Sequence, residues 1–455
     1  MAENDARHVV LIVGGAVAGS EAAFQLAERG VLAVVIEQND RPYGKVEDGL
    51  PRWHDKLRLQ EERKIDDKLS HPGVIFLPRT RVGADLPLEE VLGWGLSAVV
   101  FANGAWRDRP LPLPGIDEYL GRGFWYQNAF VHAFNHYPEK SYAGPPFAPA
   151  DDALVIGGGL ASLDVVKILM LETVARALDA RGHHIDLIEL EHEGIRKALA
   201  RLSLTLQDLD LKGCTLIYRR QVEDMPLAEV EAGAAPEQIE QARLTRRKLF
   251  GNFEQKYMFR IREWHTPVAL IAEAGRIDGL RLARTERRNG SLVTLPENGI
   301  EARSPLVVSS IGSVLEPIPG VPMDGETYRI RDEMTGEIDG LDHVFAVGNA
   351  VTGRGNILAS RRHGRLVSQH MLENYLMGTA SGYEETLASA ASGTAARVRE
   401  VADRIARQAP VSRERRDAIL ARIRKLQDRV GYPGDYADWL NRIRGQAPQF
   451  PDSLS

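Results

Sequence analysis

The sequence predicts an α/β protein with two three-layer domains and a helical C-terminal extension. Three observations predict it. A β-branched run, a glycine turn and a helical stretch follow one another at His8–Arg29. The same order returns at Ala153–Leu169. An alanine- and arginine-rich tail, Thr386–Arg444, then carries helical apolar spacing and is broken by Pro410 and by Gly431–Gly434.

Taken in order, His8–Val13 reads as a buried strand, Gly14–Gly19 as a tight turn and Ser20–Arg29 as a helix that Gly30 stops. Val31–Ile36 is a second buried strand, which completes a βαβ unit. Asn39–Lys68 reads as polar and irregular, and short strands are expected at Val74–Leu77 and Ser97–Phe101. The proline-rich run Arg109–Gly115 marks a first domain boundary, and a second such run, Pro145–Pro149, precedes the repeated pattern. Asp164–Asp210 is expected to be helical, Cys214–Tyr218 a strand, and Pro267–Ile311 rich in strands. Val344–Ile357 reads as a strand entering a glycine turn, with a helix expected over Ala359–Met377.

The chain has 455 residues, enough for two or three domains, with 44% hydrophobic and 26% charged residues and a net charge of -6. This balance gives no basic excess to attract nucleic acid. A single cysteine, Cys214, excludes a redox disulfide, a thiolate zinc site or an iron–sulfur cluster held by this chain, so electron transfer would need an organic cofactor. Cys214 sits in an apolar run and reads as core. Glu3 and Asp5 precede the first apolar stretch, and Glu21 interrupts it, which argues against a signal peptide. With no apolar run long enough to span a bilayer, a cytoplasmic location is expected. His54, His132, His136 and His363 show no zinc-site spacing, and adjacent His183 and His184 cannot share a helix face. No metal is expected.

The two glycine turns have the arrangement of Rossmann-type dinucleotide sites. In the first, Gly14 and Gly19 supply the tight turn and the close helix–strand contact, while Ala16 replaces the middle glycine. Glu37 ends the second strand, where a carboxylate accepts hydrogen bonds from ribose hydroxyls. In the second, Gly157 and Gly159 are present, Leu160 and Ala161 open the helix, and Ser162 replaces the third glycine. Two segments could then contact the second ribose. His184–Glu189 would select NAD if it were a strand, and it also reads as the start of a helix. Thr215–Tyr218 ends on Arg219 and Arg220, whose guanidinium groups suit the 2′-phosphate of NADP and make the better candidate.

Tyr218-Arg219-Arg220 followed by Glu223-Asp224-Met225-Pro226 resembles the NADP-binding signature of glutamate synthase β-subunit-type flavoproteins. The helix Leu160–Leu169 resembles adrenodoxin reductase and the bacterial ferredoxin-NADP reductases of that type, and the resemblance runs over about residues 8–375. It includes the Ala102–Ala105 turn with Gly104. It implies an FAD-binding domain of two segments, 1–115 and 335–378, an inserted NADP-binding domain, 116–334, and a helical extension, 379–455. Gly14, Ala16, Gly19 and Glu37 would then hold the FAD pyrophosphate and adenosine ribose. Gly348, Asn349, Gly355, Asn356 and Ile357 would lie along the flavin, and His54 near its ring. Gly157, Gly159, Leu160 and Ala161 would take the NADP pyrophosphate. The chain departs from relatives at Asn349, Asn103 and Leu160.

The expected activity is hydride transfer from NADPH to FAD, with no catalytic triad, followed by electron delivery to a separate ferredoxin-like protein. The alternatives are an NADPH-dependent flavin oxidase or monooxygenase, and a redox-sensing flavoprotein subunit without turnover. A glutamate synthase subunit would bring a cysteine-rich N-terminal cluster domain, and only about seven residues precede the first strand. The tail is expected to pack back on the body with a solvated charged face; docking of an acidic ferredoxin is the sharper alternative.

Overall fold

The computed structural model describes residues 6–139, 142–226, 235–352 and 381–446. Its first domain is a seven-stranded sheet in which Val344–Ala346, Ala98–Phe101, Val9–Val13, Leu32–Ile36 and Val74–Leu77 lie parallel in that order. Two short antiparallel strands, Ile330–Asp332 and Glu337–Ile338, extend its edge. The central strand Val9–Val13 is buried throughout because both faces are covered. Its alternate residues enter different cores. Val10 and Ile12 meet Ala22, Ala23 and Leu26 of helix Val17–Ala27. Val9, Leu11 and Val13 meet Ile419, Leu420 and Ile423 of helix Arg413–Val430.

The C-terminal extension therefore supplies part of the third layer. Helix Ser381–Ala406 buries Val398, Val401 and Ile405 beside Val17–Ala27, and Tyr436–Gln446 adds Trp439 and Leu440 to the same core. These helices are separated at Pro410 and at Gly431–Gly434, as their sequence indicates. Gln427 Nε2 and Trp439 Nε1 donate hydrogen bonds to the carbonyls of Phe76 and Asp40. The charged face is solvated while the apolar face is core, which is the first of the two readings given for the tail.

The second domain has a five-stranded parallel sheet, ordered Phe124–Tyr126, Val307–Ser310, Leu154–Gly157, Thr215–Ile217, Arg260–Arg262. Helices Gln127–His136, Leu160–Asp179 and Pro236–Tyr257 cover one face. The other face packs on the antiparallel sheet His265–Glu273, Arg276–Arg288, Ser291–Arg303 through Leu280 and Leu282. Leu111 and Leu113 of the proline-rich run join that core. Chain passage between domains occurs at Arg107–Asp108 and Ser313–Val314, which pair antiparallel.

One expectation is corrected. Asn39–Lys68 is not irregular: it contains helices Lys45–Asp48 and Asp55–Leu69, with a 3₁₀ turn Arg52–His54 between them. Only Leu57, Glu61, Ile65 and Leu69 of the longer helix are buried, a narrow i,i+4 stripe in an otherwise charged segment. One of the four is a glutamate, which hid the periodicity. Among the described residues no helix is long and apolar enough to cross a membrane.

Candidate functional site

A cavity of about 200 Å³ opens at the carboxyl ends of strands Val9–Val13, Leu32–Ile36 and Ala98–Phe101. That is the end of an open parallel sheet at which nucleotides bind. Gly14, Ala16 and Glu37 line it together with Gly44, Asn103 and Trp106. A methyl group on Gly14, whose φ is +96°, would lie 2.8 Å from the Ala102 carbonyl oxygen. One on Gly19 would lie 1.8 Å from the Gly14 carbonyl oxygen, so the turn and the helix contact both require glycine. The helix beginning at Val17 has no side-chain cap and no acidic residue in its first turn, which leaves its amide dipole open to an anion.

Glu37 is buried, and its carboxylate accepts hydrogen bonds from the Gly15 and Asn39 backbone amides at 2.9 and 3.0 Å. Burial raises its pKa, and the backbone hydrogen bonds oppose that rise. These bonds fix the side chain and leave lone pairs for ribose hydroxyls. Gly348 brings the second chain segment to this site: a methyl group there would lie 2.8 Å from Cβ of Ala18. Asn349 opens the helix Asn349–Thr352. Gly104 has φ +59° with open space around it. Gly355, Asn356 and Ile357 lie outside the described residues, as does the helix expected over Ala359–Met377.

The second turn has the same design. Gly159 caps the helix Leu160–Asp179, which likewise has no side-chain cap and no acid in its first turn. A methyl group on Gly159 would meet nothing within 4 Å, whereas one on Gly157 would lie 2.4 Å from the Ser310 carbonyl oxygen. Ser162 replaces a glycine without cost because its hydroxyl turns back to donate to the Gly159 carbonyl at 2.6 Å. Leu160 and Ala161 form the first turn of this helix.

Arg219 and Arg220 follow the strand Thr215–Ile217, the immediate neighbour of Leu154–Gly157. Among the described residues neither guanidinium is paired with a carboxylate, while nearby Arg247 is paired with both Glu223 and Glu263. The Tyr218 ring packs against Gly158, where a methyl group would lie 2.1 Å from it. Burial raises the Tyr218 pKa, opposed by the charges of Arg220, Arg219 and Arg246, with Asp224 adding to the rise. The sequence reading missed Arg246, which comes from the distant helix Pro236–Tyr257. Glu189 is not a ribose ligand at a strand end. Asp186 caps a helix, Leu187–Glu193, by accepting hydrogen bonds from Ile188 and Glu189, and so takes this segment out of the sheet.

Between the turns, the passage strands hold a polar cluster that the sequence did not reveal. Lys45 Nζ lies 2.9 Å from Ser313 Oγ, and the Asn128 amide hydrogen-bonds Asp108. Burial lowers the Lys45 pKa to about 8 and raises that of Asp108 to about 6. His54 is buried on the first domain's 3₁₀ turn, and burial together with the Lys167 charge lowers its pKa to about 3. It is neutral at physiological pH. Lys167 forms a buried ion pair with Glu191 and stands over the Trp53 ring, 4.7 Å from its centroid, so helix Leu160–Asp179 of the second domain reaches the His54 loop.

No family model matches the chain. The Arabidopsis thaliana NADPH:adrenodoxin oxidoreductase, mitochondrial, is 30% identical over 190 residues, which are 41% of this chain and 38% of that protein. The NADPH-ferredoxin reductase FprA of Mycobacterium leprae is 24% identical over 380 residues, covering 78% of this chain and 81% of the relative. The glutamate synthase [NADPH] small chain of Bacillus subtilis is 26% identical over 381 residues, covering 82% and 68%. The chain is similar to all three of these flavoprotein reductases over part or most of its length. It spans 38% of the first of these relatives and 23% of a further one, the NADPH-Fe(3+) oxidoreductase subunit beta of Geobacter sulfurreducens. The solved structure of Mycobacterium tuberculosis FprA in complex with NADPH shares the fold, with a TM-score of 0.59 over 92% of this chain and 90% of that one at 20% identity.

Proposed function

We propose that the chain is an FAD-dependent oxidoreductase that takes hydride from NADPH and passes electrons to a separate, ferredoxin-like protein. The observation that carries this reading is the pair of glycine turns in one chain, each at the carboxyl end of its own parallel sheet and each opening an uncapped, acid-free helix N-terminus. The first turn fits FAD: Gly14 and Gly19 shape the cradle, Glu37 is fixed to receive the adenosine ribose, and Gly14, Ala16 and Glu37 line one cavity. Gly348, Asn349, Gly355, Asn356 and Ile357 would follow the flavin. The second turn fits NADP, with Gly157, Gly159, Leu160 and Ala161 at the pyrophosphate and Arg219 and Arg220 at the 2′-phosphate. We further propose that the domain built on the first sheet, expected at 1–115 with 335–378, binds FAD and that the domain expected at 116–334 binds NADP, with the crossings lying at Arg107–Asp108 and Ser313–Val314 so that Ile330–Asp332 belongs with the first, and that the protein is cytoplasmic.

Bound flavin would supply an acceptor for two electrons that can leave one at a time. The protein's own contribution is alignment: the paired passage strands and the Trp53–Lys167 contact fix the two domains relative to each other. His54, neutral and buried, donates no proton at physiological pH. Cys214 is buried, and its thiol is pushed up to about 12, chiefly by burial, so it takes no part in electron transfer.

Steady-state dye reduction by Arg219→Ala and Arg220→Ala tests the assignment. A charge-assisted hydrogen bond is worth about 1.5–3 kcal/mol, so each variant should raise KM for NADPH about 10- to 150-fold. KM for NADH should be unchanged. Equal effects on both nucleotides would remove the two arginines from the 2′-phosphate site.

A further inference from the structure

Among residues that line neither the cavity nor the two glycine turns, one cluster of metal-ligating side chains bridges the domains. Helix Gln127–His136 of the second domain presents His132 and His136 one turn apart, on the same face. Facing them is Asp48, the last residue of Lys45–Asp48 in the first domain. One ligand atom from each of the three lies within 4.8 Å of the others. His136 Nε2 is 3.2 Å from Asp48 Oδ1, and the two imidazole rings are tilted at 38° with centroids 4.5 Å apart.

We propose that Asp48, His132 and His136 form a binding site for a divalent transition metal of the zinc class that ties the two domains together. Two histidines at i and i+4 with a third oxygen ligand from elsewhere in the chain give an imidazole–carboxylate donor set that suits zinc. At Zn–N and Zn–O distances near 2.0–2.2 Å, ligand atoms in a tetrahedral shell stand about 3.4 Å apart. The Asp48–His136 pair is already at that separation, and only His132, which is exposed, has to swing inward. The outer shell is also in place. His136 Nδ1 lies 2.8 Å from Glu139 Oε1, and a carboxylate on the far nitrogen fixes the ring so that Nε2 faces the metal. Asn135 holds the same two elements together by donating to the Glu47 and Leu50 carbonyls. Binding would release to solvent the proton lying between His136 Nε2 and Asp48. Water would complete the shell on the exposed side. The expectation of no zinc spacing overlooked that His132 and His136 stand at i and i+4, and the third ligand, Asp48, could not be seen because it lies in the other domain.

Equilibrium dialysis of the full, tag-free chain against Zn²⁺, followed by elemental analysis, tests the site. The expected result is one zinc per chain, with affinity weakened about tenfold or more by His132→Ala and by Asp48→Asn, and unchanged by His192→Ala on the surface. Because His132 is exposed, His132→Ala should melt like the wild type without metal, and Zn²⁺ should raise Tm only in the wild type. Absence of stoichiometric zinc in the wild type would overturn the proposal. So would equal binding by all the variants, or a zinc-dependent rise in Tm that persists in His132→Ala.

Discussion

Replacing Lys167 with methionine tests the contact that joins the second nucleotide helix to the His54 loop. Lys167 and Glu191 are 3% and 2% exposed, and Tyr257 also donates to Glu191. Methionine keeps the length and volume of the side chain but leaves a buried carboxylate without its cation, at a cost of about 3–5 kcal/mol. In a domain of this size that is a fall in Tm of about 6–20 °C. The deficit should depend on pH. Burial raises the Glu191 pKa, but the Lys167 charge and hydrogen bond, with help from Lys256 and Tyr257, outweigh it and hold the pKa below the usual value. A depressed carboxylate contributes stability above its unfolded pKa and loses that contribution as pH falls through the folded one. Without Lys167, burial prevails and Glu191 takes up a proton, so the deficit should be largest near pH 8 and shrink toward pH 5. Thermal melts of wild type and variant at both pH values measure this, and Lys167→Met/Glu191→Leu should recover most of the loss. A deficit below about 1 kcal/mol, or one equal at both pH values, would refute the electrostatic account.

Two further outcomes follow from packing. Gly19→Val places side-chain atoms against the Gly14 carbonyl and should abolish flavin retention, read as the absorbance ratio near 450 and 280 nm; a fully yellow variant would contradict the helix–strand contact described. Deleting residues 381–455 uncovers Val9 and Leu11 on one face of the first sheet and, on the other, the side of helix Val17–Ala27 against which Ser381–Ala406 packs, so the truncated chain should be insoluble. A soluble, flavin-loaded truncation that reduces dyes would show instead that the extension is peripheral.

The parts of this protein that could be read from its sequence are those in which local pattern and tertiary role coincide. Val9–Val13 and Leu32–Ile36 are continuous apolar runs because both faces of the sheet are covered, and the glycine turns sit where backbone approaches backbone. Arg219 and Arg220 could be named as candidates because they come just after the strand Thr215–Ile217. Arg246, Lys45, Asp108 and the Asp48–His132–His136 cluster could not, since each acquires its surroundings from elements distant in the chain. Helix Asp55–Leu69 was hidden for a related reason: its buried stripe includes Glu61, whose polarity masks a helical period that tertiary packing makes decisive. The extension's role as a structural layer was legible only in part, because its apolar stripe shows that it packs but not on which face.

The central claim is that one chain holds a flavin and an NADPH site in working register. Anaerobic stopped-flow mixing of the purified protein with NADPH, and separately with NADH, following flavin absorbance, tests it most directly. Rapid bleaching by NADPH with slow or absent bleaching by NADH is the predicted result. Bleaching by neither nucleotide, or faster bleaching by NADH, would contradict it.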